Sequence, residues 1–341
     1  RDLVFRAIRL AGDRPERGRE AMAGLADADP DLAAMFDGSP HGPAPIAAGE
    51  PRAAAQLLPK WIEPHLSPLV TPDEWPSLLE RAPLDLRANI ARPDREEHLA
   101  AFPEGVPTPL SPWGIRLPTD SKIDQHPAFL DGLVEVQDEG SQLIALACNP
   151  VAGMKVIDMC AGAGGKSLAL AAAAPGAEIL ACDTNRSRLA NLVPRAERAG
   201  ATIADRLLDG GRETQQLADW QGQADVVLVD APCSGSGTWR RNPEGRWRLT
   251  PARLDRVAAL QARLLDIAMP LVKPGGSLVY AVCSIIEREG AGQMAGFLGR
   301  HSSWTVQDAL PFGRRDGDGR LLTPGHDGTD GFFVARLQHS C

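Results

Sequence analysis

The sequence predicts an α/β protein whose main domain is a doubly wound parallel sheet, preceded by a small α+β module and a helical N-terminal segment. Three patterns predict this: apolar residues at helical spacing near the N-terminus, proline-punctuated mixed elements in the middle, and repeated strand–helix units after them. The 341 residues are enough for more than one domain. We therefore expect a helical segment over 1–60, the module over 61–135 and the main domain over 136–341.

The first segment should consist of short helices followed by a linker. Leu, Ile, Ala and Phe recur at helical spacing over residues 1–36. Residues 39–51 are rich in Pro, Gly and Ala, which is typical of an exposed connection.

The middle segment should form the α+β module. Its pattern predicts helices over 73–81 and 93–102, an extended stretch over 84–90 and a short strand near residue 115.

The third segment repeats an apolar strand followed by an alanine-rich helix. Its strands are MKVIDMC, AEILACD, ADVVLVD and SLVYAVC, the last of which follows a helix predicted over 251–272. Ligands of such sheets bind beyond the carboxyl ends of the strands. Asp158, Asp183, Asp230 and Cys283 lie at those ends, so we expect their side chains to cluster.

A glycine-rich loop, DMCAGAGGKS, follows the first of these strands and opens a helix, where backbone N–H groups can cradle a ligand. The phosphate-binding pattern GxxxxGKS fails at Cys160, and the dinucleotide pattern GxGxxG fails at Ser167. Asp183, at the end of the next strand, is placed to bind ribose hydroxyls. Adenosine without a pyrophosphate fits, which indicates S-adenosylmethionine. The alternative is that Asp158 and Asp183 merely end strands and cap helices.

Two cysteines, Cys233 and Cys283, follow the ends of two strands. A single cysteine at such a position is usually a small buried hydrophobic residue. Two cysteines beside a methyl-donor loop instead indicate an active site. Methylating carbon 5 of cytosine needs a thiolate to add at carbon 6 while ring nitrogen 3 is protonated, and afterwards a second thiol or a water can assist release. Asp230 is suited to hold the ring nitrogen. Lys166 could favour a neighbouring thiolate, or could be a solvated lysine at a helix start.

An arginine-rich segment, residues 239–256, stands out in a chain of net charge −8. The net charge argues mildly against nucleic acid as a partner, because phosphate binding is driven by Lys and Arg. This segment, however, interleaves arginines with two tryptophans and could contact a phosphate backbone and stack on bases. Arg240, Arg241, Arg246 and Arg248 are the candidate RNA contacts, and a solvated helix start is the alternative.

The remaining composition predicts a cytoplasmic monomer without metal or membrane contacts. The six cysteines are too sparse for a disulfide scaffold, and no Cys-x-x-Cys pair suggests zinc. No apolar run approaches the roughly 18 residues that cross a bilayer, and no charged-then-apolar leader is evident.

Five motifs resemble, in the right order, those of the Nop/Sun family of RNA (cytosine-5)-methyltransferases, with the bacterial ribosomal-RNA branch as the nearest match: DMCAGAGGKS, CDTNRSRL, LVDAPCSGSGTWRRNPE, KPGGSLVYAVCS and DGFFVARL. The resemblance covers about residues 126–337, and APLDLRANIARPDREEHL resembles the family's small RNA-binding module. It implies a Rossmann-like class I methyltransferase domain that methylates carbon 5 of a cytosine in RNA, with ribosomal RNA as the expected substrate. Residues 1–60 would be a remnant of the branch's helical RNA-binding domain.

Carried over by position, the resemblance implies that Cys283 is the nucleophile, that Cys233 helps release the product and that Asp230 binds the target base. It implies that the cofactor is bound by Asp158, Cys160, Ala161, Gly162, Ala163, Gly164, Gly165, Lys166, Asp183, Arg188, Asp209 and Asp230. The sequence departs from the family pattern at Ala163, where proline is usual, at Val282, where Thr or Pro is common, and at Gly290, where asparagine is frequent. None of these departures removes a thiol.

Two other functions remain open. A methyltransferase acting on tRNA, a protein or a small molecule could share the sheet and the donor loop, but for a non-RNA substrate it leaves the arginine-rich segment and the module unexplained. The protein could also be a catalytically silent RNA-binding or ribosome-assembly factor, but such a factor would have no chemical need for Cys233, Cys283 and Asp230. For an RNA substrate we expect a looped or single-stranded cytosine, because the base must leave any stack to reach the thiols.

Overall fold

Two β-sheets organise the chain in the computed structural model, which describes residues 2–92, 95–307 and 310–339. The strands are β1 (Leu84–Ala88), β2 (Val106–Pro107), β3 (Gly114–Leu117), β4 (Val134–Val136), β5 (Lys155–Asp158), β6 (Glu178–Asp183), β7 (Ala204–Leu207), β8 (Ala224–Asp230), β9 (Val272–Val282), β10 (Trp304–Gln307), β11 (Arg314–Asp316), β12 (Gly319–Leu322) and β13 (Phe332–His339).

The α-helices pack around these sheets. They are α1 (Asp2–Leu10), α2 (Gly18–Ala28), α3 (Pro30–Ala34), α4 (Arg95–Leu99), α5 (Pro127–Leu130), α6 (Glu139–Cys148), α7 (Gly165–Ala173), α8 (Arg186–Leu189), α9 (Leu192–Ala199), α10 (Glu213–Gln216), α11 (Gly245–Arg248), α12 (Pro251–Ala268), α13 (Ala291–Arg300) and α14 (Pro324–Asp327). Short 3-10 helices lie at Glu63–His65, Pro72–Leu78, Ala218–Trp220, Ser236–Thr238, Met269–Leu271 and Glu287–Glu289. None of the described helices is long and apolar enough to span a membrane.

The large sheet has the strand order β11-β12-β13-β9-β8-β5-β6-β7, with β10 beside β13. The strands from β9 to β7 run parallel, which confirms the predicted doubly wound α/β fold. The strand order reverses between β5 and β8, and the carboxyl ends on either side of such a reversal form a crevice where ligands bind. The strands β10 to β13 form an antiparallel extension next to β9 that the sequence did not predict.

The small sheet is antiparallel, in the order β2-β3-β1-β4, and it corresponds to the predicted α+β module. The helix expected over 73–81 is instead a 3-10 helix at Pro72–Leu78, because Pro76 inside it has no N–H to donate and disfavours the α-helix. The helix expected over 93–102 is the shorter α4, and residues 93 and 94 lie outside the described residues. The division of the chain at 60 and 135 stays a prediction.

The segment before β1 is part of the main core. Leu58, Ile62 and Leu78 are almost fully buried and belong to the same apolar cluster as residues of β8 and β9. The Ser67 amide also donates a hydrogen bond to the Ile285 carbonyl, two residues after Cys283. The stretch over 58–79 therefore supports the loop that carries one of the candidate thiols.

Candidate active site

The glycine-rich loop connects β5 to α7 and depends on two glycines with positive φ. Gly162 has φ 57° and Gly164 has φ 80°, in the left-handed region that side chains disfavour. A Cβ at Gly164 would lie 2.1 Å from Leu192 Cδ1, and one at Gly162 would lie 2.3 Å from Arg188 Nη2. Ala163 is compatible with this turn, and its carbonyl accepts a hydrogen bond from Arg195 Nη1 at 2.5 Å.

Asp183 fixes the loop to the neighbouring strand. Its Oδ2 accepts a hydrogen bond from the Gly162 amide at 2.7 Å, and its Oδ1 accepts one from the Asn185 amide at 2.7 Å. The Ala161 amide donates to the Cys182 carbonyl at 2.8 Å. A carboxylate has further lone pairs, so Asp183 can still accept hydrogen bonds from a ligand's hydroxyls.

Asp158 carries a buried oxygen without a partner. Its Oδ2 accepts a hydrogen bond from Ser167 Oγ at 2.7 Å, whereas Oδ1 has no partner. Burial raises the pKa of Asp158 to about 6; the Ser167 hydrogen bond opposes this shift, and the Asp230 charge adds to it. This oxygen is buried within the protein, so Asp158 acts on the loop through Ser167, at the start of α7. The loop and the Asp183 carboxylate fit a cofactor with ribose hydroxyls.

A cavity of about 490 Å³ opens at the carboxyl ends of β5, β6, β8 and β9. It is lined by six of the residues that the sequence predicted for the site: Cys160, Asp183, Arg188, Asp230, Cys233 and Cys283. Sequence reasoning missed Met159, Thr184, Asn185, Leu208, Glu213, Ala231, Pro232, Gly235, Leu260 and Leu264. The i, i+4 spacing of Leu260 and Leu264 could have indicated that one face of α12 turns toward the cavity.

Asp209 does not line this cavity, which corrects the expectation that it contacts the cofactor. The loop after β7 turns the buried Leu208 toward the cavity and leaves Asp209 exposed. The Asp209 amide donates to Gln216 Oε1 at 2.7 Å. Glu213 lines this part of the cavity instead, and its carboxylate accepts hydrogen bonds from Arg263 Nη1 at 3.0 Å and Nη2 at 2.5 Å.

The two cysteines meet at the edge of the cavity, with their Sγ atoms 3.3 Å apart. Because β8 and β9 pair in parallel, with Asp230 opposite Ala281, the residues that follow both strands reach the same edge of the sheet. The hydrogen bond to Cys283 and burial raise the pKa of the Cys233 thiol well above its ordinary value. Cys233 therefore stays protonated at neutral pH and can donate a hydrogen bond to a thiolate at Cys283.

Lys166 and Asp230 form an ion pair beside the thiols, with Nζ 2.6 Å from Oδ2. The Lys166 side chain is only 11% exposed, so the alternative of a solvated lysine is wrong. Burial alone would lower the pKa of Lys166, but the Asp230 carboxylate outweighs burial and the pKa is raised, to which a charge on Cys283 also contributes. The site thus holds a charged ammonium group close to the two thiols.

Arg240 and Arg241 are held by two aspartates of the protein itself. Arg240 is 6% exposed and donates to Asp330 Oδ1 at 2.5 Å and to Asp138 Oδ2 at 3.2 Å. Arg241 donates to the same two carboxylates, at 2.6 Å and 2.8 Å. This corrects the expectation that Arg240 is a free RNA contact, because its guanidinium is buried and paired.

Arg246 is also an internal residue, which corrects its assignment to RNA. Its side chain is fully buried, and Nη2 donates to the carbonyls of Ile8 at 2.6 Å and Ala11 at 2.7 Å. Burial lowers its pKa to about 10. Arg248, two residues along α11, has a side chain that is 69% exposed, so it remains available for RNA.

We expect Arg246→Ala to lower the free energy of unfolding by about 2–4 kcal/mol, because several buried carbonyls lose a charged donor. Urea unfolding of the purified protein measures this loss. Arg248→Ala, on the exposed side of the same helix, is the matched control and should leave stability nearly unchanged. A stable Arg246→Ala variant with weakened RNA binding would contradict the internal role.

A second cavity, of about 550 Å³, lies where α1, the small module and the segment after Cys233 meet. It is lined by Phe5, Arg9, Arg81, Ala82, Pro83, Leu84, Thr119, Arg240 and Arg241. We call it the arginine cleft. Among the described residues, no group of three or more His, Cys, Asp and Glu side chains could hold a metal ion.

Comparison with known proteins identifies the family. A family model described as "16S rRNA methyltransferase RsmB/F" matches residues 145–338, more than half of the chain. The chain belongs to the RsmB/F family. The curated relatives of this RsmB/F protein include "Ribosomal RNA small subunit methyltransferase B" of Salmonella arizonae, 35% identical over 289 residues, and that of Salmonella typhi, 34% identical over 291. Each alignment covers 82% of this chain and 66% of the relative, so the chain spans about two thirds of their length.

Solved structures share the fold of this RsmB/F protein. The structure titled PH0851 has a TM-score of 0.75 and 30% identity, and the match covers 82% of this chain and 66% of that one. NSun6 from Pyrococcus horikoshii, solved with SFG, has a TM-score of 0.69 and 18% identity over 78% of this chain and 93% of its own. The fold is therefore that of the Rossmann-like methyltransferases.

Proposed function

We propose that this protein transfers a methyl group from S-adenosylmethionine to carbon 5 of a cytosine in ribosomal RNA, through a covalent adduct with Cys283. The observation that carries this proposal is the pair of thiols 3.3 Å apart in a cavity at the carboxyl ends of the parallel strands. The printed names of the RsmB/F relatives support ribosomal RNA as the substrate.

The cofactor would lie along the glycine-rich loop. The Asp183 carboxylate would accept hydrogen bonds from the ribose hydroxyls, and Asp158 would support the loop through its hydrogen bond with Ser167. Arg188 lines the same cavity, close to Gly162. When bound, S-adenosylmethionine supplies an electrophilic methyl group.

Cys283 would begin the reaction on the base. Its thiolate forms a bond to carbon 6, and the electrons of the C5–C6 double bond shift so that carbon 5 becomes nucleophilic as ring nitrogen 3 takes a proton. Asp230 lines the cavity and would hold that protonated nitrogen, while the Lys166 ammonium balances the charge of the Asp230 carboxylate. Carbon 5 would then form its bond to the methyl group as the methyl–sulfur bond of the cofactor breaks, which leaves a neutral thioether. Ring nitrogen 3 would return its proton to water when the product is released.

Release requires the reverse of the addition. The carbon 5 proton must leave to a base, for which a water in the cavity is suited, and the C5–C6 double bond re-forms as the bond from Cys283 to carbon 6 breaks. The departing sulfur carries the electron pair. Cys233, protonated and 3.3 Å away, would stabilise this thiolate by donating its S–H hydrogen bond.

The arginine cleft would bind the RNA backbone that leads to the target cytosine. Arg9 and Arg81 line it beside Phe5, and the paired Arg240 and Arg241 form another part of its wall. Arg81 is 58% exposed, so it can reach a phosphate, although it also pairs with the more exposed Asp120. The net charge of −8 does not by itself favour RNA binding, and the cleft supplies part of the positively charged surface that such binding needs.

We expect Arg81→Glu to weaken RNA binding about tenfold near 0.15 M salt and to reduce the salt slope of the affinity by about one. Fluorescence titration of labelled ribosomal RNA at several salt concentrations measures both quantities. Arg300→Glu is the matched control, because Arg300 is an exposed arginine on α13 that also pairs with an exposed aspartate, Asp266. Equal weakening by both variants would mean that the cleft is not the binding site.

The proposed function is tested by incubating the protein with S-adenosylmethionine carrying a labelled methyl group and with two substrates, unmodified small-subunit ribosomal RNA and unmodified tRNA. Nucleoside mass spectrometry should find labelled 5-methylcytidine in the ribosomal RNA. Label confined to tRNA would change the substrate, and label in another nucleoside would change the chemistry. The absence of label from both RNAs would favour the silent binding factor.

A further inference from the structure

A buried carboxylate outside the cavity connects the two cysteine loops. Glu289 is fully buried at the end of the 3-10 helix that follows Cys283. Its carboxylate accepts three hydrogen bonds, from the Ser234 amide at 2.8 Å, from Gln261 Nε2 at 2.9 Å and from Ser284 Oγ at 2.6 Å. All three donors are uncharged, so the negative charge is held by hydrogen bonds.

The donors come from the residues next to the thiols. Ser234 directly follows Cys233, and Ser284 directly follows Cys283. Gln261, on α12, also donates to the carbonyl of Pro232, on the other side of Cys233. One carboxylate therefore touches both cysteine loops and, through Gln261, the helix that packs over them.

Buried hydroxyls reinforce this connection. Ser236 Oγ lies 3.0 Å from Ser234 Oγ and 2.9 Å from Ser284 Oγ, and it accepts a hydrogen bond from the Ile285 amide at 3.0 Å. The Gly237 amide donates to the carbonyl of Cys283 at 3.0 Å. A buried network whose members are all paired fixes one arrangement of the groups around it, and removing one member disturbs the rest.

The Glu289 carboxylate also acts on one of the thiols. It contributes to raising the pKa of Cys233, after the larger effects of the Cys283 hydrogen bond and of burial. A carboxylate bound to the Cys233 loop therefore favours the protonated thiol at that position.

We propose that Glu289 is a positioning residue that holds the Cys233 and Cys283 loops together, so that the thiol which assists release stays within hydrogen-bond distance of the nucleophile. This inference rests on the proposed function of the two cysteines. Glu289 does not line the cavity, so it acts only through the loops.

The test compares Glu289→Gln with Glu287→Gln, a control at an exposed position in the same 3-10 helix. A glutamine side chain keeps one acceptor oxygen, but its NH₂ group cannot accept from Ser284 Oγ. The Ser284 hydroxyl must then reverse its direction, which disturbs its hydrogen bonds to the other buried hydroxyls beside the cysteine loops. For Glu289→Gln we expect kcat to fall about tenfold and the covalent protein–RNA adduct to persist about tenfold longer, with unchanged affinity for S-adenosylmethionine. Glu287→Gln should behave as the wild type.

A second measurement is independent of RNA. The reagent diamide oxidises two neighbouring thiols to a disulfide, taking up their two electrons and two protons to become a hydrazine, and peptide mass spectrometry follows the Cys233–Cys283 link. We expect the rate of this reaction to fall about tenfold in Glu289→Gln, because the two sulfurs spend less time in contact. If the wild type methylated no RNA and Cys233→Ala formed no adduct with RNA, the proposed function would fail, and the diamide rate would still decide the role of Glu289.

Adduct lifetime and diamide rate within twofold of the Glu287→Gln control would overturn the proposal, even if the thermal midpoint of Glu289→Gln were lower, because that result describes a purely structural residue. Should Glu289→Gln fail to fold, Ser284→Ala removes the 2.6 Å contact to the carboxylate, together with the contacts of Ser284 Oγ to the Ser236 hydroxyl and the Ile286 amide, and is measured in the same two ways. For Ser284→Ala we likewise expect a longer-lived protein–RNA adduct and a slower reaction with diamide.

Discussion

Cys283→Ala should abolish methyl transfer, with a loss of at least about a thousandfold, because carbon 5 of cytosine does not become nucleophilic until a thiolate adds at carbon 6. Alanine leaves Lys166 and Asp230 in place, so the cofactor should still bind. Transfer of the labelled methyl group to ribosomal RNA, together with calorimetric titration of the cofactor, separates the two effects. No adduct with RNA should appear on a denaturing gel.

Cys148→Ala provides the matched control for this variant. Cys148 is fully buried at the end of α6 and does not line the cavity, so its loss should leave the chemistry intact. Residual methylation by Cys283→Ala near the level of Cys148→Ala would mean that Cys283 is not the nucleophile. If Cys233→Ala were the inactive variant instead, the two thiols would exchange roles.

Cys233→Ala should trap the enzyme on its RNA. Attack by Cys283 and methyl transfer do not need the second thiol, but the departing sulfur loses the S–H donor that lies 3.3 Å away. We expect a single turnover followed by an adduct that persists, with steady-state turnover reduced at least about a hundredfold. A slow band on a denaturing gel that nuclease converts to free protein measures this, and sequencing the attached RNA locates the target cytosine.

The variant that combines Cys233→Ala with Cys283→Ala tests the bond itself. It should give no slow band, because the sulfur that attacks the base is absent. A band from this double variant would place the adduct on another residue. Absence of a band from Cys233→Ala, with normal turnover, would show that release does not use the second thiol.

The strand ends of the large sheet could be predicted because their signal is local. Each of Asp158, Asp183, Asp230 and Cys283 follows or ends an apolar run, and parallel strands bring such residues to one edge of a sheet. The structure places the last three on the cavity wall, whereas Asp158 is buried and does not line the cavity. The same reasoning could not find Glu213, because it reaches the cavity through the fold of the loop after β7.

The arginines could not be assigned from the sequence, because what decides their role is distant along the chain. The Asp330 partner of Arg240 lies 90 residues away, and the Ala11 carbonyl that Arg246 binds lies 235 residues away. Composition shows that a positive charge is present but does not show whether it faces solvent or a buried acceptor. Of the four arginines nominated for RNA, only Arg248 is mainly exposed, and Arg241 is partly so.

The contacts of Arg246 also constrain how this protein can change through evolution. Its guanidinium is buried against carbonyls at the end of the first helix, so the helix and the catalytic domain share an obligatory contact. In a lineage that lost this helix, the Arg246 guanidinium would lose its hydrogen-bond acceptors. An apolar residue at position 246 would therefore have to be acquired before or together with the loss. The codons of the first helix and the codon of Arg246 are therefore expected to be inherited, and altered, together.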